Sequence, residues 1–210
     1  MTEKEKLALK FRGMGIDERV VRAFEKVMRE EFVLPSDKKH AYYDSPIPIK
    51  AGQTISQPTT VVVMLDALEL EESDKVLEIG AGSGYNAALL GEICKKGRII
   101  SVEFIDELVS FAKSNIQKAG LKNVLVVKGD GTKGYAREAP YNKIICTAAI
   151  PEIPKEWIEQ LADGGIIVAP VGPQFSQKMT KLKKAGKGYE VAELGDFVFV
   201  PARGEHGYDI

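Results

Sequence analysis

A glycine-rich segment behind an apolar run is the part of this chain whose residue types point most directly to chemistry. Residues 76–79 are followed by Gly80, Gly82 and Gly84, and a helical pattern opens at Tyr85. Glycine permits a tight turn and close approach of a ligand, while a helix N-terminus offers unpaired N–H groups and a positive dipole end. The combination favours a bound nucleotide-like ligand over a turn that binds nothing.

The spacing of the glycines narrows the class of ligand. Dinucleotide enzymes use Gly-x-Gly-x-x-Gly, whereas this turn is Gly-x-Gly-x-Gly with an acid two residues before it. That variant resembles motif I of the Rossmann-like S-adenosylmethionine-dependent methyltransferases. The resemblance implies that the cofactor is bound by Glu78, Gly80, Ala81, Gly82, Ser83 and Gly84.

Two further acids follow apolar runs. Glu103 ends the next run, and Asp130 follows the third within Gly129-Asp130-Gly131. Ligands of parallel sheets lie beyond the carboxyl ends of the strands, so these acids should share one crevice with the glycine turn. The Glu103 carboxylate can accept hydrogen bonds from both hydroxyls of a ribose, because it has two oxygens. In this superfamily an acid at the position of Asp130 commonly binds the exocyclic amine of adenine. The alternatives are a solvated strand end and an ordinary turn aspartate. The predicted cofactor set thus also includes Glu103, Asp130 and Gly131.

The elements that must position these residues alternate from Lys75 onward. Strands are predicted at residues 75–79, 98–103, 123–128, 143–147 and 166–171, with helices at 85–94, 106–119 and 154–161. Gly120 and Gly164 stand where C-terminal caps belong. Alternation of this kind predicts a mostly parallel, doubly wound α/β sheet.

Both ends of the chain differ from this alternation. Short strands at 178–183, 189–194 and 197–200, around a Gly186-Lys187-Gly188 turn, predict an antiparallel C-terminal hairpin. The N-terminal part predicts a helix from an Asp17 cap to about Phe32, a loop over 36–57, and a helix beginning at Pro58. The fold expected is therefore a Rossmann-like class I methyltransferase fold with an N-terminal helical extension.

A second segment, Gly-Gln-Thr-Ile-Ser-Gln-Pro at residues 52–58, is more specific than the glycine turn. Together with residues 78–85 it resembles the protein-L-isoaspartate O-methyltransferase family. The likeness continues, in order, through residues 29–33, 41–42, 46–49, 129–131, 147–149, 171–172 and 199–201. It implies methyl transfer from S-adenosylmethionine, leaving S-adenosylhomocysteine, to the free α-carboxylate of L-isoaspartyl residues in damaged proteins and peptides.

The resemblance also assigns residues. Ser56 is expected to orient the substrate carboxylate, which is already ionised at neutral pH and needs no base. The alternative is that Ser56 only caps the helix from Pro58. Gln177 is expected to close over the cofactor. The expected substrate contacts are Thr54, Ile55, Ser56, Pro58, Phe199 and Val200.

No linker, repeat or low-complexity segment divides the sequence, which predicts a single domain of residues 1–210. Within it, residues 1–70 form a substrate-side extension, 71–175 the cofactor-binding core, and 176–210 the antiparallel strands and tail. A monomer is expected.

Composition limits the other classes of function. A net charge of −1 over 210 residues argues against a nucleic-acid partner, and no apolar run approaches a membrane span. Cys94 and Cys146 form no motif, and His40 and His206 are too few for a metal site. The expectation is a cytoplasmic protein. Few asparagines among many Lys and Glu are typical of thermophiles, and the source is expected to be a thermophilic archaeon.

Three other functions stay open at this stage. The first is a methyltransferase of the same fold that acts on nucleic acid or a small molecule, although the Asn/Asp-Pro-Pro-aromatic motif is missing at residues 147–151. The second is a non-catalytic cofactor-binding protein, and the third is a nicotinamide dehydrogenase.

Overall fold

The computed structural model describes residues 1–186 and 188–209 and contains a seven-stranded sheet between helices. Three short 3₁₀ turns and a two-stranded ribbon connect the N-terminal helices. The elements in chain order are α1 (Glu3–Gly13), α2 (Glu18–Lys26), β1 (Ile47–Pro48), β2 (Thr54–Ile55), α3 (Pro58–Ala67), β3 (Lys75–Ile79), α4 (Tyr85–Ile93), β4 (Arg98–Glu103), α5 (Asp106–Lys118), β5 (Val124–Lys128), β6 (Tyr141–Cys146), α6 (Lys155–Gln160), β7 (Leu161–Val171), β8 (Gln177–Ala185) and β9 (Gly188–Phe197).

The sheet confirms the predicted fold class. Its order is β5-β4-β3-β6-β7-β8-β9, with β3 to β7 parallel and the last two strands antiparallel. The order reverses between β3 and β6, which is where an open parallel sheet leaves a crevice at the carboxyl ends of its strands.

Alternation along β3 shows why the sheet is covered on both faces. Val76 packs into the cluster that contains the N-terminal helices, while its neighbour Leu77 packs into the cluster around Trp157 of α6. Both side chains are fully buried. Strands buried on both sides read as continuous apolar runs, and this is why the sequence predicted the bounds of β3 and β4 to the residue.

The N-terminal helices pack against one another and carry the 52–58 segment. Phe11 of α1 meets Phe24 of α2 edge-on at 5.0 Å between ring centroids, and Phe24 meets Tyr42 at 6.0 Å. The ribbon pairs Ile47 with Ile55, and α3 then begins at Pro58 as predicted. Ser56 is thus held between a strand and a helix N-terminus.

The predicted end of α2 was wrong. The helix stops at Lys26, because Val27 adopts an extended conformation with ψ 120°, and a 3₁₀ turn over Arg29–Glu31 follows. Met28, which extended the apolar pattern, is 48% exposed, whereas Arg29 is fully buried.

The C-terminal region differs from the prediction in two places, and one further prediction there is not tested. α6 ends at Gln160 and passes directly into β7, so Gly164 lies within a strand and is no helix cap. No strand covers 198–200: the segment lies along Ala149, whose N–H donates to the Val200 carbonyl at 2.8 Å. The predicted turn at 186–188 includes Lys187, which lies outside the described residues.

Candidate active site

The glycine turn follows β3 and leads into α4. Gly80, Gly82 and Gly84 all have positive φ, at 90°, 55° and 85°. A Cβ on Gly80 would stand 2.8 Å from Thr147 Oγ1 and one on Gly84 would stand 3.3 Å from the backbone of Ala112 in α5, so both positions require glycine. The Thr147 hydroxyl donates to the Gly80 carbonyl at 2.6 Å, which fixes the turn from β6.

Glu103 is the acid that the fold brings closest to this turn. One carboxylate oxygen accepts the Gly82 N–H at 2.9 Å, and the other accepts the Ile105 N–H at 2.9 Å. The side chain is only 5% exposed, yet it lines a cleft of about 620 Å³. Each oxygen retains a second lone pair, so the carboxylate is oriented and able to accept two more hydrogen bonds.

Three neighbouring depressions form the crevice, and Thr54 and Thr147 line all of them. The first cleft is the one lined by Glu103, together with Gly80, Gly82, Gly131, Val200 and Arg203. The second cleft, about 440 Å³, is lined by Ile55, Ser56, Gly80, Ala81, Gly82, Ser83, Tyr85 and Asn86. The outer groove, about 1150 Å³, is lined by Pro46, Ser56, Gln57, Phe199 and Val200. Ser56 thus lies where the second cleft meets the outer groove.

Glu78 lies behind the glycine turn, away from all three depressions. It is fully buried, accepts a hydrogen bond from Asn86 Nδ2 at 2.8 Å, and is hydrogen-bonded to the Ser101 hydroxyl. Burial raises the pKa of this carboxyl to about 7, and the nearby charge of Glu103 acts in the same direction. The side chain that was expected to face the cofactor instead holds the first turn of α4.

Of the predicted pair Asp130 and Gly131, only Gly131 lines the first cleft. Gly131 lies against that cleft, and a Cβ built on Gly131 would stand 2.7 Å from the Ile79 side chain. The Asp130 carboxylate accepts from the Thr132 N–H at 3.0 Å and from the Glu205 N–H at 2.9 Å. It therefore ties the C-terminal tail to the end of β5, beside the place predicted for adenine.

Gln177 is almost completely buried, and both of its polar atoms are engaged. Its side-chain nitrogen donates to the Pro173 carbonyl at 2.6 Å, and its oxygen accepts the Phe199 N–H at 2.9 Å. These contacts lie away from the first cleft, so Gln177 supports the 199–200 segment where the sequence had predicted a cofactor contact. Gly84 likewise packs on α5 and lines no depression.

Ser56 does not cap α3, which removes one alternative. The N-cap position belongs to Gln57, which makes no side-chain cap, and Asp44 accepts the Thr59 N–H at 3.0 Å instead. The Ser56 carbonyl accepts from Arg29 Nη2 at 2.8 Å. The Ser56 side chain is therefore available to a ligand in the crevice, beside the positive end of the α3 dipole.

Sequence reasoning gave no role to Thr147, Arg203 or Arg29. Thr147 directly follows β6, so the rule that ligands lie beyond strand ends was a usable signal. Arg203 lines the first cleft from the C-terminal tail, and Arg29 reaches the site through carbonyls distant in sequence; no local pattern marked either residue. Within residues 1–186 and 188–209, no three His, Cys, Asp or Glu side chains are arranged to hold a metal ion. In the same residues no helix is long and apolar enough to cross a membrane.

The sheet order, the glycine turn and the oriented acid after β4 define a Rossmann-like S-adenosylmethionine-dependent methyltransferase. The sequence matches the family described as protein-L-isoaspartate(D-aspartate) O-methyltransferase over residues 2–207. The chain belongs to that family.

Individual relatives agree. The protein-L-isoaspartate O-methyltransferase of Methanoculleus marisnigri is 47% identical over 206 residues, covering 98% of this chain and 92% of the relative. That of Pyrococcus horikoshii is 46% identical, covering 95% and 91%. A solved protein-L-isoaspartate O-methyltransferase superposes with a TM-score of 0.88 at 30% identity, covering 97% of this chain and 67% of that one. A Plasmodium falciparum structure in complex with S-adenosyl-L-homocysteine shares the fold, with a TM-score of 0.83 at 22% identity and coverage of 95% and 98%.

Proposed function

We propose that this chain transfers a methyl group from S-adenosylmethionine to the free α-carboxylate of L-isoaspartyl residues in damaged proteins and peptides. The observation that carries the proposal is the position of Ser56, which lines both the cleft beside the glycine turn and the open groove next to it. A polypeptide in the groove could thus present a carboxylate to a cofactor in the clefts. The methyl ester formed would close without the enzyme to a succinimide, whose hydrolysis returns some normal aspartate.

The residues of the first cleft fit the cofactor. Glycines at 80 and 131 leave open backbone where a side chain would collide with its neighbours, and Glu103 presents an oriented carboxylate suited to a vicinal diol. When bound, the cofactor supplies an electrophilic methyl group on a sulfonium. We assign the cofactor contacts to the turn over 80–83, Glu103 and Gly131. We assign a supporting role, stabilising the segments that line the clefts, to four other predicted residues: Glu78, Gly84, Asp130 and Gln177.

The chain's own contribution to the reaction is positioning. Aligning the reacting oxygen with the methyl group can supply up to ~7–11 kcal/mol of the barrier reduction. The Ser56 hydroxyl and the N-terminal end of α3 at Pro58 would bind the ionised carboxylate, so no proton has to be removed. Thr54, Ile55, Phe199 and Val200 would hold an extended peptide through its main chain, which admits many sequences.

The proposal is tested by tritiated methyl transfer to an isoaspartyl peptide beside its aspartyl twin. Label should enter only the isoaspartyl peptide and should be released by base, as a methyl ester is. Equal labelling of both peptides, or label that resists base, would transfer the assignment to another methyltransferase reaction, on nucleic acid or a small molecule.

We further propose that the chain works as one domain, as a monomer in the cytoplasm without a nucleic-acid partner. Its near-zero net charge and two buried free cysteines support this setting. A thermophilic source is supported by linked surface ion pairs such as Arg12 with Glu18 and Glu25, both at 2.9 Å. An unfolding midpoint above ~65 °C, the upper end for mesophile domains, is the expected result in calorimetry.

A further inference from the structure

Arg29 is a buried cation directly behind the active-site segment. Its side chain is fully buried, its Nε donates to the Ala41 carbonyl at 2.7 Å, and its Nη2 donates to the Ser56 carbonyl at 2.8 Å. Both acceptors are neutral. A guanidinium keeps its charge even when desolvated, and burying that charge is costly. Within the described residues no carboxylate hydrogen-bonds it; the Asp44 carboxylate, which accepts the Thr59 N–H at the start of α3, acts on it only through space.

Two neighbouring polar atoms, Arg29 Nη1 and the Tyr85 hydroxyl, are incompletely satisfied. Within the described residues both are buried with no hydrogen bond of good geometry, although the two side chains interact electrostatically with each other. The guanidinium carbon lies 5.0 Å from the centre of the Tyr85 ring, and Tyr85 lines the second cleft together with Ser56. The cation is therefore separated from the crevice by the Ser56 backbone and the Tyr85 ring.

The Ser56 contact also affects the next peptide group. The only cis peptide bond in the described residues is Ala139–Pro140, so the Ser56–Gln57 bond is trans and its N–H points away from the guanidinium. A carbonyl that accepts from a cation is polarised, which strengthens the N–H on the opposite side as a donor. That N–H belongs to the N-cap residue of α3, whose positive end already favours an anion.

We propose that Arg29 is a positioning residue for the carboxylate of the substrate: it fixes the Ser56 backbone from behind and supplies the positive charge that selects an ionised acceptor. The inference rests on the proposed function. It adds the reason that a carboxylate, rather than its neutral amide, is held at Ser56. An anion at this place would add its negative charge to that of Asp44 beside the buried guanidinium.

The test compares two variants that differ in charge but can each still donate to the Ser56 carbonyl. Arg29→Gln removes the charge and Arg29→Lys keeps it. The two ligands are an isoaspartyl peptide, measured by its KM, and the same peptide with its α-carboxylate converted to a carboxamide, measured as a competitive inhibitor. Arg22→Met serves as the control, since Arg22 is 75% exposed and, in the described part of the chain, its ion pair is with Glu18 on the surface.

In Arg29→Gln the KM for the carboxylate peptide should rise about tenfold, as for the loss of one partly screened charge interaction. The inhibition constant of the carboxamide peptide should change less than about twofold, because a neutral group gains little from a nearby charge. Arg29→Lys should keep the wild-type ratio of the two constants, and Arg22→Met should change neither. If Arg29→Gln does not fold, Arg29→His measured at pH 8 takes its place, because an ordinary imidazole is neutral there and still has an N–H to donate.

Equal weakening of both peptides would show that Arg29 is only structural, and a folded Arg29→Gln with wild-type constants would show that its charge is not used; either result overturns the inference. A wild-type protein that methylates no isoaspartyl peptide would overturn the proposed function and this inference together. Failure of the inference alone leaves wild-type activity intact.

Discussion

Replacing Glu103 by alanine is the sharpest test of how the cofactor is held. The carboxylate orients itself on the N–H groups of Gly82 and Ile105, both at 2.9 Å, and its remaining lone pairs face the first cleft. One hydrogen bond to a charged group contributes ~1.5–3 kcal/mol. Loss of one such bond to the ribose should weaken S-adenosylmethionine binding roughly 10- to 150-fold.

Calorimetry gives the dissociation constant, and thermal unfolding gives an independent measure. At a cofactor concentration of about 100 times the wild-type Kd, the wild-type protein gains ~2.7 kcal/mol of stability, whereas a variant that binds ~30-fold more weakly gains only ~0.9 kcal/mol. Glu103→Ala should also be less stable without cofactor, because the half-buried Gly82 N–H loses its acceptor. Glu107→Ala is the matched control, since Glu107 is 56% exposed and its ion-pair contact, with Lys50, is 3.7 Å long. A folded Glu103→Ala protein with the wild-type Kd would refute the ribose assignment.

Two further predictions concern Ser56 and Glu78. Ser56→Ala should lower kcat by a factor equivalent to ~0.5–1.5 kcal/mol, the net contribution of one hydrogen bond. The Tm, the cofactor Kd and the pH profile should not change, because Ser56 neither caps α3 nor titrates. A variant with the wild-type kcat would show that Ser56 has only a structural role. Since burial raises the pKa of Glu78 to about 7, the folded state binds this proton more tightly than the unfolded chain. Its contribution to the free energy of unfolding should therefore be present below about pH 4.5 and fall by roughly 3 kcal/mol as pH rises through about 7. Glu78→Gln should remove most of this fall in denaturant titrations at pH 5 and 8, and identical pH dependence in both proteins would contradict the assigned pKa.

The parts of the fold that the sequence predicted are those where local pattern and burial agree. β3 and β4 lie in continuous apolar runs, and α3 begins at a proline suited to the first helical turn. The glycine turn was predictable because three positive φ values demand glycine. By contrast, α2 ends early because Arg29 turns inward to carbonyls 12 and 27 residues away, a contact that no helical periodicity records.

The candidate site was predicted better in position than in atomic contacts. The strand-end rule placed Glu103, Asp130 and the glycine turn at one crevice; Glu103 and the turn line it, whereas the Asp130 carboxylate binds the Thr132 and Glu205 N–H groups beside it. It could not show which side chains turn into that crevice. Glu78 points the other way because β3 alternates its side chains, and Gln177 is held by the Pro173 carbonyl and the Phe199 N–H, which only the folded chain brings together.

The charges around the crevice also suggest why one site can hold two unlike partners. On the cofactor side, the Glu103 carboxylate lines the first cleft, so negative charge would face a cationic sulfonium. On the acceptor side, the buried Arg29 lies behind Ser56, so the substrate carboxylate proposed to bind there would meet positive charge. Two fields of opposite sign, meeting at Ser56 in a site partly shielded from water, would align an anionic acceptor with a cationic donor without a base. This arrangement requires negatively and positively charged residues on separate elements. The switch in strand order between β3 and β6 is what brings those elements to a single edge of the sheet.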